Sequence, residues 1–286
     1  MITQTFNHLI DHTNLKPEAK LEDLIVLAKE AEAYRFNSVC IRPEFIKQIS
    51  PLYKCSAVIN FPKEKAIFES PKGTAEEQEK NLLEFCDHFF VKHKLDEMLS
   101  EVEQSLLDGA LELDPVINVK HLVNEKPIKS NHIYEELTAI IDECLNLERE
   151  LSTLHQSEKV NVFLKPIFSC ELLNDAQLKY SIEILAAVSQ YYKNKPEYEN
   201  SNIRIDIAYK NSTGFIETGK DEAAANAELI QKIKNLLDLY DKKSTIQIKA
   251  AGGIQSYEDA LKLINLGKER LSHLGTSSGI KICETL

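Results

Sequence analysis

None of the six cysteines falls in a Cys-x-x-Cys pair, and among the eight histidines one pair alone, His8 and His12, stands at His-x-x-x-His spacing, with no cysteine pair to complete a site. Neither zinc spacing nor a disulfide framework is therefore expected. Cys40, Cys55, Cys86, Cys144, Cys170 and Cys283 are read mostly as buried thiols. No apolar run approaches the ~20 residues of a membrane span, and Met1 to His8 has no basic region followed by an apolar stretch. A soluble cytoplasmic protein without a membrane partner is expected. Positive charge is in deficit, 34 Lys and Arg against 45 Asp and Glu for a net charge of −11. The surplus is spread over helix-like stretches such as Glu76 to Lys80 and Glu97 to Glu103, which read as solvated faces. This balance argues against nonspecific nucleic-acid binding. No linker interrupts the 286 residues, of which 43% are hydrophobic, so one α/β barrel domain over 1–286 is expected.

Short strand-like runs alternate with longer helix-like ones. The strands are placed at residues 9–13, 37–41, 55–60, 110–117, 159–168, 203–209, 245–250 and 271–275. Pro17 is expected to open a helix as a first-turn proline, with Leu21, Leu24, Ile25, Leu27, Ala28 and Ala31 at helical spacing. Amphipathic patterns from Leu172 to Ser189 and Ala223 to Leu239 repeat the βα order. The simplest architecture is a closed eight-stranded parallel (β/α)8 TIM barrel, with an open doubly wound sheet as the alternative. Two intervals exceed what a barrel needs. Residues 61–109, after the third strand, are expected to hold a long loop and two helices, and residues 119–158, after the fourth, are similarly extended. Both are read as outer decoration, with a lid or oligomer contact as the functional alternative.

Alternation with period two gives the side chains that share a face. Asp11, Cys40, Glu112, Asp114, Lys165, Lys210 and Lys249 lie on or just beyond strands, near the carboxyl ends where barrel enzymes place their chemistry. Lys210 precedes Asn211 Ser212 Thr213 Gly214, and Lys249 precedes Ala250 Ala251 Gly252 Gly253. On neighbouring parallel strands their side chains would be about 5 Å apart. Two ammonium groups that close repel by about 3 kcal/mol at an effective dielectric near 20, roughly two pKa units. Burial would depress one further and give a nucleophilic amine.

Seven segments then carry a family resemblance in order along the chain: Asp11 to Pro17 (DHTNLKP), Ser38 to Pro43 (SVCIRP), Val58 to Pro62 (VINFP), Glu112 to Asn118 (ELDPVIN), Lys210 to Phe215 (KNSTGF), Lys249 to Ile254 (KAAGGI) and Gly275 to Gly279 (GTSSG). Together they resemble the 2-deoxyribose-5-phosphate aldolases, class I aldolases on a (β/α)8 barrel. The resemblance implies reversible, metal-free cleavage of 2-deoxy-D-ribose 5-phosphate to D-glyceraldehyde 3-phosphate and acetaldehyde, with no cofactor. It also implies roles. Lys210 matches the Schiff-base lysine, Lys249 the second lysine whose charge keeps Lys210 partly neutral, and Asp114 the proton-transferring carboxylate. Asp11, Thr13, Cys40 and Thr213 stand as supporting residues, Cys40 being read foremost as a buried small side chain. Lys165 is a rival nucleophile, ranked below Lys210 because its surroundings match a nonnucleophilic family lysine. Phosphate is expected at the loops after the seventh and eighth strands, on Gly252, Gly253, Ser277 and Ser278, with Gly214 contributing.

Four departures qualify the match. Asn211 stands where a threonine is usual, Ser169 Cys170 replace a Glu-Thr pair, Gln255 replaces a basic residue, and the sequence ends at Leu286 without a terminal tyrosine. The alternatives are a Schiff-base aldolase for another phosphorylated aldehyde or ketone, and a noncatalytic sugar-phosphate-binding barrel. The expected partner is a small phosphorylated sugar, with a homodimer left open.

Overall fold

A computed structural model describes residues 6–68, 74–90, 94–123, 127–218, 221–243 and 245–284. Eight strands form the barrel: β1 (Ile10–Thr13), β2 (Ser38–Ile41), β3 (Cys55–Ile59), β5 (Glu112–Pro115), β6 (Val160–Leu164), β7 (Ile203–Lys210), β9 (Ile246–Ala251) and β10 (Leu271–Thr276). Two short strands, β4 (Ala66–Ile67) and β8 (Ile216–Glu217), lie outside it. The barrel strands pair in parallel in the order β1-β10-β9-β7-β6-β5-β3-β2. β1 pairs with both β2 and β10, so the sheet closes and has no free edge. That closure decides against the open doubly wound alternative.

Around the barrel run α1 (Leu21–Tyr34), α2 (Ile46–Ile49), α3 (Ala75–Phe89), α4 (Leu95–Leu107), α5 (His132–Asn146), α6 (Glu148–Leu154), α7 (Asp175–Lys193), α8 (Pro196–Asn200), α9 (Glu222–Tyr240), α10 (Tyr257–Gly267) and α11 (Gly279–Glu284). The apolar core is the layer between helices and sheet. Leu24, Ala28 and Ala31 of α1 are buried, as are Ile182 and Leu185 of α7 and Ile230, Ile233 and Leu237 of α9. Each such Leu or Ile contributes about 1.5–3 kcal/mol by leaving water. Alternation along β7 turns Tyr209 outward to this layer, where it stacks on Phe168 at 4.4 Å and its hydroxyl meets Ser181 of α7 at 2.7 Å. The same alternation sends Lys210 inward. Among the described residues, no helix is long and apolar enough to cross a membrane.

One expected helix start is corrected. α1 begins at Leu21, and Pro17 belongs to the preceding turn. The Asn14 side chain accepts from the Lys16 amide at 3.3 Å and Ala19 N–H donates to the Lys16 carbonyl at 3.1 Å, so local bonds keep these residues in a turn. The Asp23 carboxylate then accepts from the Lys20 amide at 2.9 Å and fixes the true start. Residues 61–109 do contain the two expected helices, α3 and α4; Pro71 and Gly73 lie outside the described residues. The interval is more than outer decoration. Its first residues cross the barrel mouth, where β4 pairs with β8 as Ala66↔Ile216 and Ile67↔Glu217, and Phe61 meets Phe215 edge-on at 4.6 Å.

A buried arginine ties the last βα units together. Arg270 Nε donates to Asp238 at 2.6 Å, Nη1 to Asp241 at 3.1 Å and to the Ile246 carbonyl at 2.8 Å, and Nη2 to the carbonyls of Leu237 and Asp241. It thereby joins the end of α9 to the starts of β9 and β10. Arg270→Met leaves Asp241 buried without its cation and is expected to cost about 3–5 kcal/mol of folding free energy, measured by urea denaturation.

Candidate active site

The barrel interior is ionic where a barrel is ordinarily apolar. Asp11 of β1, Glu112 and Asp114 of β5, Lys165 just past β6, and Lys249 of β9 have side chains fully withdrawn from solvent; that of Lys210, at the end of β7, is 4% exposed. Lys165 Nζ lies 3.1 Å from Asp11 and 3.3 Å from Asp114 and also contacts Glu112. Lys249 Nζ lies 2.5 Å from Asp11 and 2.6 Å from Asp114 Oδ2. Lys210 Nζ donates to that same Asp114 oxygen at 2.7 Å. Lys210 and Lys249 are direct register partners across β7 and β9, so the sequence-derived proximity is realised.

Three lysines thus meet three carboxylates, but unequally. Burial alone would lower the pKa of Lys165, yet Asp11, Asp114 and Glu112 outweigh it and hold that ammonium well above its usual range. Lys249 is likewise raised against burial by Asp11 and Asp114. Lys210 moves the other way. Burial lowers it, Asp114 opposes, and the neighbouring Lys249 charge lowers it further. Of the three lysines it alone is lowered from the usual range. Burial pushes the carboxyls of Asp114 and Asp11 toward the neutral acid, but the surrounding lysines prevail and keep both well below the usual range. Glu112 is also lowered against burial, by Lys165, His273 and Lys54.

The supporting residues separate on inspection. Asp11 holds Lys249 and Lys165 and accepts from Ser38 Oγ at 2.8 Å and Asn37 Nδ2 at 2.7 Å, so it acts as their structural counter-charge. Cys40 Sγ is buried 4.0 Å from Asp114 Oδ2, and burial pushes its thiol up, as suits an inert side chain. Ser56, which the sequence reading left out, donates to Asp114 Oδ1 at 2.8 Å. Thr13 Oγ1 donates to the Asp11 carbonyl at 2.8 Å, and Thr213 Oγ1 accepts the Phe215 amide at 3.1 Å; both line the cavity described next. Asp11, Glu112 and His273 bring three ligand atoms within 4.8 Å of one another. Lys165, Lys249 and Lys54 already take up those two carboxylates, so this donor set does not suit a metal.

Lys210 opens into a cavity of about 780 Å³, while Lys165 does not reach it. Gly214, Gly252, Gly253, Ser277 and Ser278, the residues expected to take a phosphate, form part of its wall. Gly253 has φ +66°, and a Cβ there would lie 2.7 Å from Glu222 Cβ, so only glycine lets α9 approach this loop. Ser212 Oγ accepts the Gly214 amide at 3.0 Å and donates to Glu171 Oε1 at 3.0 Å. Glu171, absent from the sequence-derived set, is raised to about 7 by burial, with Glu222 adding to the shift. Its isolated place after β6 offered no motif to find it by.

No protein-family model matches the chain. The deoxyribose-phosphate aldolase of Clostridium kluyveri is 30% identical to it over 275 residues, covering 96% of this chain and 94% of that protein. The chain belongs to the deoxyribose-phosphate aldolase family. The aldolase of that name from Caldicellulosiruptor saccharolyticus is 29% identical over 273 residues, covering 96% and 94%. Among solved structures, deoxyribose phosphate aldolase from Aeropyrum pernix shares the fold with a TM-score of 0.63 at 22% identity, covering 98% of this chain and 89% of that one. A structure described as "QR15, an Aldolase" gives 0.67 at 25% identity, covering 100% and 96%.

The departures within the deoxyribose-phosphate aldolase pattern have local explanations. Asn211 Nδ2 donates to Asn226 Oδ1 at 2.9 Å and to the Ala251 carbonyl at 3.1 Å, while its Oδ1 accepts the Ala251 amide at 2.8 Å. Asn226 continues the brace to the Gly252 carbonyl at 2.7 Å. The two amides therefore staple the strand end beside Lys210 to the glycine loop, which a threonine's single hydroxyl could not do. Ser169 sits in the left-handed region at φ +42°, and Cys170 Sγ packs 3.3 Å from the Tyr209 hydroxyl in the outer layer, away from the lysines. Gln255 remains on the cavity wall. Thr285 and Leu286 lie outside the described residues.

The carboxylates give a pH prediction. Their folded pKa values lie below the roughly 3.9–4.3 of an unfolded chain. Their stabilisation is therefore present above about pH 4 and drains as pH falls below it. Calorimetric Tm is expected to drop steeply from pH 4 to pH 3, and Glu112→Gln to flatten that drop.

Proposed function

We propose that the chain acts over its whole length as one catalytic domain, in the cytoplasm, cleaving 2-deoxy-D-ribose 5-phosphate reversibly to D-glyceraldehyde 3-phosphate and acetaldehyde through an imine on Lys210. The observation that carries this reading is one buried amine, depressed by burial and by Lys249, on a cavity whose wall includes the glycine and serine loops. The curated relatives named for this activity support it.

The neutral Lys210 amine adds to C1 of the open-chain sugar, and loss of water from the carbinolamine gives a protonated imine. The bond between C2 and C3 then breaks, its electrons passing to the imine to form an enamine while the C3 hydroxyl gives up its proton and becomes the aldehyde of glyceraldehyde 3-phosphate. Protonation at C2 and hydrolysis release acetaldehyde and restore Lys210. Asp114 Oδ2, shared by both lysines, is placed to pass protons through a water during carbinolamine formation and at the enamine carbon. Lys249 stays charged and so keeps Lys210 neutral. The backbone amides and hydroxyls around Gly252, Gly253, Ser277 and Ser278 take the phosphate. A homodimer is the proposed assembly; the tetramer named for the Aeropyrum pernix neighbour supports self-association.

Borohydride reduction in the presence of 2-deoxyribose 5-phosphate is expected to fix an adduct on Lys210, located by peptide mass spectrometry. An unmodified protein, beside a working control aldolase, would overturn the reading. Asp114→Asn is expected to lower kcat by about 10² to 10⁴-fold in steady-state assays. Lys249→Met removes the repelling charge, so the rise of activity with pH is expected to move upward by as much as about two units.

A further inference from the structure

His12 follows Asp11 on β1, and alternation turns it away from the lysines. It is 4% exposed. Its Nε2 faces Glu30 Oε2 of α1 at 2.9 Å, and its ring lies 5.2 Å from that of Phe36. A carboxylate can only accept, so Nε2 carries the hydrogen. The other nitrogen, Nδ1, is buried and has no hydrogen-bond partner. It lies at the Ser277–Gly279 turn: a Cβ on Gly279 would come within 3.0 Å of it. His12, Glu30, Ser277 and Ser278 together line both the main cavity and an adjoining one of about 550 Å³.

A buried ring nitrogen without a partner is costly to retain unless something meets it. We propose that His12 is a phosphate-recognising residue of this site, its Nδ1 donating to a phosphoryl oxygen seated at the Ser277–Ser278 turn. This rests on the phosphate reading of the cavity given above. With Nε2–H held by Glu30, donation from Nδ1 makes the ring an imidazolium between a carboxylate and a dianion, a charge order that favours both contacts. Lys281 and Glu284 of α11 also line the adjoining cavity, and Lys16 and Glu18 are among the charged residues of the main one.

Two substitutions separate the two nitrogens. The amide of His12→Asn falls near Nδ1, and that of His12→Gln near Nε2. The readouts are competitive inhibition of 2-deoxyribose 5-phosphate cleavage by inorganic phosphate and the KM for that sugar. His12→Gln is expected to raise both at least about tenfold, the worth of one hydrogen bond to a charged group, with the larger effect on KM than on kcat. His12→Asn keeps a donor near Nδ1 but loses the ring charge and the Glu30 contact, and is expected to raise both by about three- to fivefold, less than His12→Gln. Glu30→Gln, at a partly exposed position, guards against misfolding and is expected to raise the phosphate inhibition constant threefold or more. An unchanged constant in His12→Gln or Glu30→Gln, or an equal loss in His12→Asn, overturns the proposal. Absence of phosphate inhibition in the wild type instead removes the phosphate reading itself, and the inference with it.

Discussion

Charge balance in the dry centre of the barrel is the constraint on which the rest of the structure depends. Taking an ion out of water costs several kcal/mol even after relaxation, and the cost is offset only where each charge meets a well-placed opposite. Asp11, Glu112 and Asp114 provide three such partners for Lys165, Lys210 and Lys249. The distribution is uneven by one step. Lys165 touches three carboxylates and Lys249 two, whereas Lys210 has only an oxygen of Asp114 that Lys249 also claims. The shortfall falls on the residue that opens to the cavity, so the arrangement that stabilises the centre also leaves one ammonium less firmly held than the other two.

Above that centre the loops are cross-braced. Arg42 Nε donates to the Leu15 carbonyl at 3.0 Å and Nη2 to the Pro62 carbonyl at 3.2 Å, with its guanidinium over the Phe61 ring. Phe61 in turn meets Phe215, and β4 pairs with β8. The loops after β1, β2, β3 and β7 are thereby held to one another. On the other side Asn211 and Asn226 fasten the end of β7 to the loop after β9. Lys210 and the glycine loop on the cavity wall are thus braced to one another, the arrangement that a positioned site needs.

The barrel was legible because each strand is a short run bounded by turn residues and followed by a helical pattern. The adjacency of Lys210 and Lys249 was legible because each closes its strand before a recognisable glycine loop. Pro17 misled, since its fitness for a first helical turn says nothing of the Asn14 and Lys16 bonds that hold it in a turn. The pairing of β4 with β8 joins two-residue strands about 150 residues apart, too short for any periodicity to register. Asn226 and Ser56 act through partners distant in sequence, and Glu171 and His12 are distinguished by a buried atom left without a partner. Such features exist only once the chain is packed.

Lys210 is set apart from the other two buried lysines by its lowered pKa. Nuclear magnetic resonance of the lysine Cε carbons across a pH titration, assigned with single lysine substitutions, measures all three. Lys210 is expected to titrate below the usual lysine value of about 10.4 while Lys165 and Lys249 stay protonated above it. A Lys210 that titrates at or above the usual value would instead place all three amines among inert structural cations.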